Sequence, residues 1–177
     1  TVDRYGSVLV SEVLSLGIER RQDTLYALLR EELSALGVNV TCIYERNESL
    51  IREKEGMTCG KGAYRAHGLE DDPSGHVEIC ENGVYFDVDY INGQKTGYFL
   101  DQKYNRAAAG RLARGQRVLD CFTHTGAFAL HCAAFGAESV TAVDVSETAL
   151  EQARRNAVRN GLESRMEFRC EDVFELL

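Results

Sequence analysis

Between Leu119 and Ser146 the chain reads "LDCFTHTGAFALHCAAFGAESVTAVDVS". A short apolar run gives way to a polar turn closed by Gly126. A helical segment between glycines follows, and a second apolar run ends on Asp144. Strand, helix and strand in this order make a parallel βαβ unit. The alternation continues on both sides. "SETALEQARRNAVRNG" predicts a helix with Ser146 as N-cap, Glu147 in its first turn, Ala149, Leu150, Ala153 and Ala157 inward, and Gly161 beyond its end. "MEFRCED" predicts a third strand. Upstream, "YFLDQKYNRAAAGRLARG" predicts a helix with Asp101 near its start and Gly115 past its end. "RVLDCF" is then the first strand. Its Val118, Leu119, Cys121 and Phe122 are apolar on both faces, as in a buried strand. The fold class is α/β, with a Rossmann-like sheet.

Residues 1–92 have a different texture, that of a small α+β module. "YGSVLVSEVL" predicts a strand over 5–14. "DTLYALLREELSAL" predicts a helix with Asp23 as N-cap, an apolar stripe of Leu25, Leu28, Leu29, Leu33 and Leu36, and Gly37 as its stop. "VTCIYER" predicts a strand over 40–46. The segment holding Pro73 reads as loops around short strands. "HVEICENGVYFDVDY" predicts a hairpin turning on Asn82-Gly83. The two domains expected are thus 1–92, the module, and 93–177, the sheet domain.

Composition excludes some classes. No apolar run approaches the length of a membrane span, and the charged start TVDRYG does not fit a signal peptide. The six cysteines form no C-x-x-C pair, so their spacing argues against metal ligation and a disulfide framework; free thiols in a cytoplasmic protein are expected. A net charge of −8 argues against a dedicated nucleic-acid binder. Its distribution is uneven. The acid-free stretch 102–119 places Lys103, Arg106, Arg111 and Arg114 on one broad helix face. Such a face either neutralises phosphates or is a solvated exterior. Beginning on Thr1, the chain reads as a piece of a longer protein.

The site chemistry follows from the strand ends, where doubly wound sheets bind ligands. Asp120, Asp144 and Asp172 fall at or near three of them. An acid at the position of Asp144 accepts hydrogen bonds from ribose hydroxyls. The turn DCFTHTGA has one glycine, not G-x-G-x-x-G, so it offers few closely approachable amides to a pyrophosphate. NAD and FAD fit poorly. A ligand with ribose and adenine, no phosphate and a positive centre suits a rim of carboxylates. S-adenosylmethionine (SAM) is such a ligand.

The run "VLDCFTHTGAFALHCAAFGAESVTAVDVSETALEQARRNAVRNGL" resembles the first SAM motifs of class I methyltransferases. With "NGQKTGYFLDQKYNR", "DRYG" and "IYERNE", nearly the whole chain resembles the RlmI-like family of 23S ribosomal RNA cytosine-C5 methyltransferases. The resemblance implies a fragment without the N-terminal PUA domain and the C-terminal half of the methyltransferase domain. It implies that Asp120 and Gly126 border the methionine part of SAM, Asp144 the ribose, and Asp172 with Val173 the adenine edge. Phe122, Thr125 and Val145 join this set. Gln94, Lys95, Thr96, Phe99 and Asp101 resemble a lid or floor at the cofactor mouth. No role falls to His124.

The implied partner is ribosomal RNA. C5 methylation needs a cysteine thiolate, which the family carries after the fourth strand. Cys121 and Cys132 are expected to be inert core thiols, and the 177-residue piece is expected to be inactive alone. Other readings are a SAM enzyme acting on guanine N2 of RNA or on a small molecule, and a non-catalytic module on the same scaffold. The bare edge of the first strand raises a homo-oligomer as one way of covering it.

Overall fold

The computed structural model describes residues 1–70 and 73–177. The chain divides into two compact units. The first comprises Thr1–Ile79 with Val88–Phe99, and the second Cys80–Asp87 with Leu100–Leu177.

The first unit opens with β1 (Val2–Tyr5) and β2 (Val8–Ser11), which pair antiparallel across Gly6, a left-handed residue at φ +57. The single strand expected over 5–14 is therefore two strands, because Gly6 turns the chain. The short α1 (Leu16–Glu19) and the long α2 (Gln22–Ala35) follow. β3 (Cys42–Asn47) pairs parallel to β2, with α2 as the crossover between them. After the one-turn α3 (Ile51–Lys54), β4 (Gly60–Ala63) pairs antiparallel with β3. The sheet order is β1-β2-β3-β4. Its core gathers Leu9, Tyr26, Val40 and Ile43, with Leu29 and Leu33 against them.

Two expectations for α2 change. Arg21, not Asp23, is its N-cap, and Asp23 instead accepts a hydrogen bond from the Tyr64 hydroxyl at 2.7 Å. Of the leucine stripe, only Leu29 and Leu33 pack on the core, beside Tyr26; Leu25, Leu28 and Leu36 are exposed.

β5 (His76–Glu81) and β6 (Val84–Asp89) form the expected hairpin. Asn82 and Gly83 both have positive φ, 51 and 83, the signature of a type I′ turn. The tip of the hairpin belongs to the second unit and its base to the first.

The second unit continues through a 3-10 turn (Leu100–Gln102) into α4 (Lys103–Leu112), so the helix starts later than expected. Then come β7 (Arg117–Cys121), α5 (Ala127–Ala134), β8 (Ser139–Asp144), α6 (Glu147–Arg159), β9 (Met166–Cys170) and the one-turn α7 (Val173–Leu176). The three strands are parallel in the order β7-β8-β9. Ser146 caps α6, accepting from the Ala149 amide at 3.3 Å.

Alternation decides which side chains enter the core. Val118, Val140, Ala142, Met166 and Phe168 share one face of the sheet and pack in one cluster with Ala129, Cys132 and Ala133 of α5. Arg117, Leu119 and Cys121 point the other way. β7 is an edge strand and Leu119 is 45% exposed, so the strand is not buried on both faces. Cys121 is correspondingly only half-buried, whereas Cys132 is a core thiol whose pKa burial raises.

Arg106 does not join a phosphate-facing surface. It is 2% exposed and forks onto Glu81 at 2.6 and 3.0 Å, while Lys103, Arg111 and Arg114 are exposed. The helical wheel that grouped them could not see that the hairpin tip supplies a buried carboxylate to one of the four.

Candidate functional site: the carboxyl ends of the parallel strands

The turn after β7 is tightly wound. Phe122, His124 and Gly126 have φ of +59, +52 and +78. The Thr123 amide donates to the Val143 carbonyl at 3.0 Å, tying the turn to β8. Gly126 then starts α5. A Cβ there would lie 2.9 Å from the Ala153 Cβ, so glycine lets α5 and α6 approach closely as well as adopting a left-handed backbone.

Two carboxylates accept from backbone amides in and around this turn. Asp120 Oδ2 accepts from the Thr123 hydroxyl at 2.6 Å and the Ala129 amide at 3.0 Å. Burial raises its pKa; those two hydrogen bonds oppose the rise and the nearby Asp144 charge adds to it. Asp144 Oδ2 accepts from the His124 amide at 2.8 Å and its Oδ1 from the Ser146 amide at 3.0 Å. The imidazole of His124 is half-buried, and burial lowers its pKa against the pull of Asp144.

The arrangement discriminates between ligands. An anion at a helix N-terminus needs open amides. Here Asp120 occupies the Ala129 amide in the first turn of α5, and Asp144 the His124 amide of the turn before it. A pyrophosphate would meet two acids. A cationic centre would meet the charge that suits it. Each oxygen of Asp144 holds one amide and retains a lone pair, enough for two ribose hydroxyls.

An apolar rim stands beside the acids. Phe122 is 59% exposed, Val145 68% and Phe174 81%. The Phe122 and Phe174 ring centroids lie 5.8 Å apart. Large apolar side chains left in water at three adjacent strand ends suit a planar ligand group. Asp172 caps α7, accepting from the Phe174 amide at 2.8 Å, and so fixes the segment carrying that ring. Val173 is buried, so its side chain belongs to the core. Sequence reasoning missed Phe174; the signal was an aromatic residue two positions after a helix-capping aspartate. Thr125 sits half-buried in the turn.

Lys95, Thr96 and Phe99 belong to the first unit, and Asp101 to the second. Lys95 has a positive φ of 53 and its ammonium lies 4.6 Å from the Phe99 ring centroid. Thr96 is buried, and its hydroxyl is engaged with Asp3 at 2.6 Å and the Tyr5 hydroxyl at 3.0 Å. Gln94 is exposed. Asp101 is exposed and accepts from its neighbour Gln102 at 2.9 Å.

No group of three or more His, Cys, Asp or Glu among the described residues is placed to hold a metal ion. No helix among them is long and apolar enough to cross a membrane.

A family model of S-adenosylmethionine-dependent methyltransferases matches residues 52–176, more than half of the chain. The chain belongs to that family. The acids and the apolar rim fit SAM: Asp144 can take the ribose hydroxyls, Asp120 and Asp144 suit the sulfonium charge, and Phe122, Val145 and Phe174 suit the adenine.

The chain is 43% identical over 178 residues to Ribosomal RNA large subunit methyltransferase I of Shewanella denitrificans. That match covers 100% of this chain and 43% of the relative, so the chain spans less than half the length of the curated relatives it matches. Among solved structures it is similar to a protein assigned as a SAM-dependent methyltransferase from Streptococcus mutans, with a TM-score of 0.79 and 25% identity, over 99% of this chain and 43% of that one. It is also similar to SMU.776, solved in complex with SAH, with a TM-score of 0.78 and 26% identity, over 99% and 42% of the two chains.

Proposed function

We propose that this chain is the SAM-binding part of an enzyme that methylates large-subunit ribosomal RNA at C5 of cytosine. The observation that carries the reading is the pairing of two things. One is a strand-end site whose backbone donors are held by Asp120 and Asp144. The other is 43% identity, along the whole chain, to a protein named as a ribosomal RNA large subunit methyltransferase. Lys95, Thr96, Phe99 and Asp101 join the cofactor set on the strength of the motif they share with the RlmI-like family.

SAM supplies an activated methyl group. The chain's own work is to bind and orient it: Asp144 through the ribose, the apolar rim through the adenine, Asp120 beside the positive centre. Orientation is the larger part of an in-line methyl transfer. C5 chemistry also needs a thiolate to add to cytosine C6. Cys132 is a buried thiol whose pKa burial raises, and Cys170 is raised by desolvation and by its hydrogen bond to Glu147. Neither is an activated nucleophile, and we assign neither to catalysis.

The test has two arms. Asp144→Ala removes the acceptor for ribose and also releases the His124 and Ser146 amides. Calorimetric titration should show SAM binding weakened by roughly tenfold or more, on the order of 1–3 kcal/mol for groups left unpaired; unchanged affinity removes Asp144 from the site. Tritiated methyl transfer by the full-length protein to unmodified ribosomal RNA, mapped by mass spectrometry, should mark a cytosine at C5. A label on a guanine amine would overturn that target.

A further inference from the structure

β4 is an edge strand that reads Gly60-Lys61-Gly62-Ala63. Glycine inside a strand weakens it and commonly marks a place where a ligand approaches the backbone closely. The usual internal reasons for glycine do not apply here. Neither Gly60 nor Gly62 has a left-handed φ, and a Cβ on either would meet nothing within 4 Å. Gly93 and Gly97 are different: a Cβ there would strike the Asp89 carbonyl oxygen at 2.2 and 2.9 Å.

In the strand register Gly60 lies opposite Asn47 and Gly62 opposite Glu45, so these four share one face of the sheet. Lys61, between the glycines, reaches the Ile91 carbonyl with its ammonium at 3.2 Å. Over the bare backbone opens a cavity of about 260 Å³, walled by Glu19, Glu45, Asn47 and Arg52. Arg52 is 2% exposed and fixed. Its guanidinium donates to both Glu19 oxygens, at 3.0 and 2.9 Å, and to the carbonyls of Thr58 and Val13. That pair cancels its own charge. Glu45 spends one oxygen on the Tyr26 hydroxyl at 3.0 Å and, as a carboxylate, keeps acceptor capacity.

The cavity therefore offers a flat glycine floor, an Arg52 whose charge Glu19 answers, a Lys61 whose ammonium is drawn to the Ile91 carbonyl and to Glu48 at 3.8 Å, and an acceptor in its wall. A planar, neutral group with hydrogen-bond donors on its edge matches it. Among RNA bases, guanine carries adjacent N1–H and N2–H donors, the pair a carboxylate accepts, and single-stranded bases are read through such edges. We propose that this cavity takes an unpaired guanine of the RNA substrate, stacked on the Gly60–Gly62 backbone with its pairing edge on Glu45. The proposal rests on the ribosomal RNA reading above and adds a base-reading site within the first unit.

Amide NMR of the 177-residue chain tests it, with guanosine 5′-monophosphate, cytidine 5′-monophosphate and inorganic phosphate as probes. The guanine nucleotide should shift the Gly60 and Gly62 amides at concentrations where the other two do not. Gly62→Val fills open space with a strand-favouring residue and should weaken guanine binding roughly tenfold by removing the stacking floor. Gly60→Ser should do the same, should the valine disturb the fold. Glu45→Gln should bring the two nucleotides to equal affinity. Equal guanine binding by wild type and both glycine variants overturns the proposal, and so does inorganic phosphate shifting the same amides. Full-length protein that methylates ribosomal RNA while no nucleotide moves these amides sinks this site alone. Guanine binding at these amides without ribosomal RNA methylation sinks the functional reading alone.

Discussion

Each unit is built around one arginine that is 2% exposed, and the two differ in what answers the charge. In the first, Arg52 divides its donors between two backbone carbonyls and Glu19, whose side chain is 31% exposed. In the second, Arg106 forms a two-toothed pair with Glu81, which is 4% exposed, and its guanidinium lies 5.9 Å from the Phe128 ring centroid. Water can take over part of the Glu19 role. It cannot reach Glu81. A buried charge is tolerated through its partners, so the dry pair is the one that breaking hurts most.

The comparison gives the largest expected effect. Glu81→Gln should cost about 3–5 kcal/mol, because the Arg106 charge stays buried without its carboxylate. Urea unfolding, followed by amide exchange in α4 and α5, measures it. Replacing both residues, as Arg106→Met with Glu81→Leu, should recover most of the loss. A cost below about 1 kcal/mol for Glu81→Gln would show that the pair is wetter than its burial implies.

The same cluster holds the next effect, which depends on pH. His131 is fully buried; its Nδ1 lies 2.7 Å from the Ala127 carbonyl and so donates to it. In that neutral tautomer Nε2 accepts from Asn82 at 3.3 Å. Burial lowers the His131 pKa below its ordinary 6.5, with Arg106 in the same direction and the Ala127 carbonyl and Glu81 opposing. The unfolded chain therefore takes up this proton first as pH falls. The stability contributed by neutral His131 is complete above about pH 6.5 and is lost as pH drops below it, until the lowered folded pKa is reached. His131→Phe keeps the ring stacked on Phe86 and removes the titration. It should flatten the fall in stability between pH 7 and 5 by up to about 1.4 kcal/mol per pH unit. An unchanged slope would assign the fall to other groups.

In the first unit, Glu19→Gln leaves Arg52 with both carbonyls and a partly wetted amide. The cost should be about 1 kcal/mol, several-fold below that of Glu81→Gln. Equal costs for the two would break the comparison.

The second unit was far more legible in the sequence than the first, for a physical reason. Its strands and helices alternate, and each boundary carries its own chemistry: Ser146 as a cap, Gly115, Gly136 and Gly161 in left-handed backbone, Asp144 ending a strand. These signals lie within a few residues of what they decide. The first unit depends on distant partners. Thr96 is fixed by Asp3 and Tyr5, more than ninety positions away. The pairing of β2 with β3 spans the whole of α2. At the strand ends, Asp120, Gly126 and Asp144 were readable as strand-terminal chemistry. Their use in holding the turn's own amides was not, since it depends on a left-handed backbone at Phe122 and His124 that no glycine announces. Arg106 misled for the same reason as Thr96: its partner sits on another element.

The smallest effect comes from the contrast between two helices. In α6 the inward residues Ala149, Leu150, Ala153 and Ala157 follow the apolar pattern and are all buried. In α2 four leucines, with Leu36 at its C-cap, form a tidy stripe, yet the buried line runs through Tyr26, Leu29 and Leu33, about one residue around the helix. The reason lies in Tyr26. Its ring buries more area than a leucine, and its hydroxyl donates to Ser11 at 2.8 Å and meets Glu45 at 3.0 Å. Turning the helix to bury Leu25 and Leu28 would pull that hydroxyl from both partners, and burial without partners raises the cost further. Leu28, at 50% exposure, is left as surface. Leu28→Gln should therefore change stability by less than about 0.5 kcal/mol in denaturant unfolding, as for a surface site. A loss of 2 kcal/mol or more, on the order expected for a core leucine, would return the helix to the face its leucines advertise.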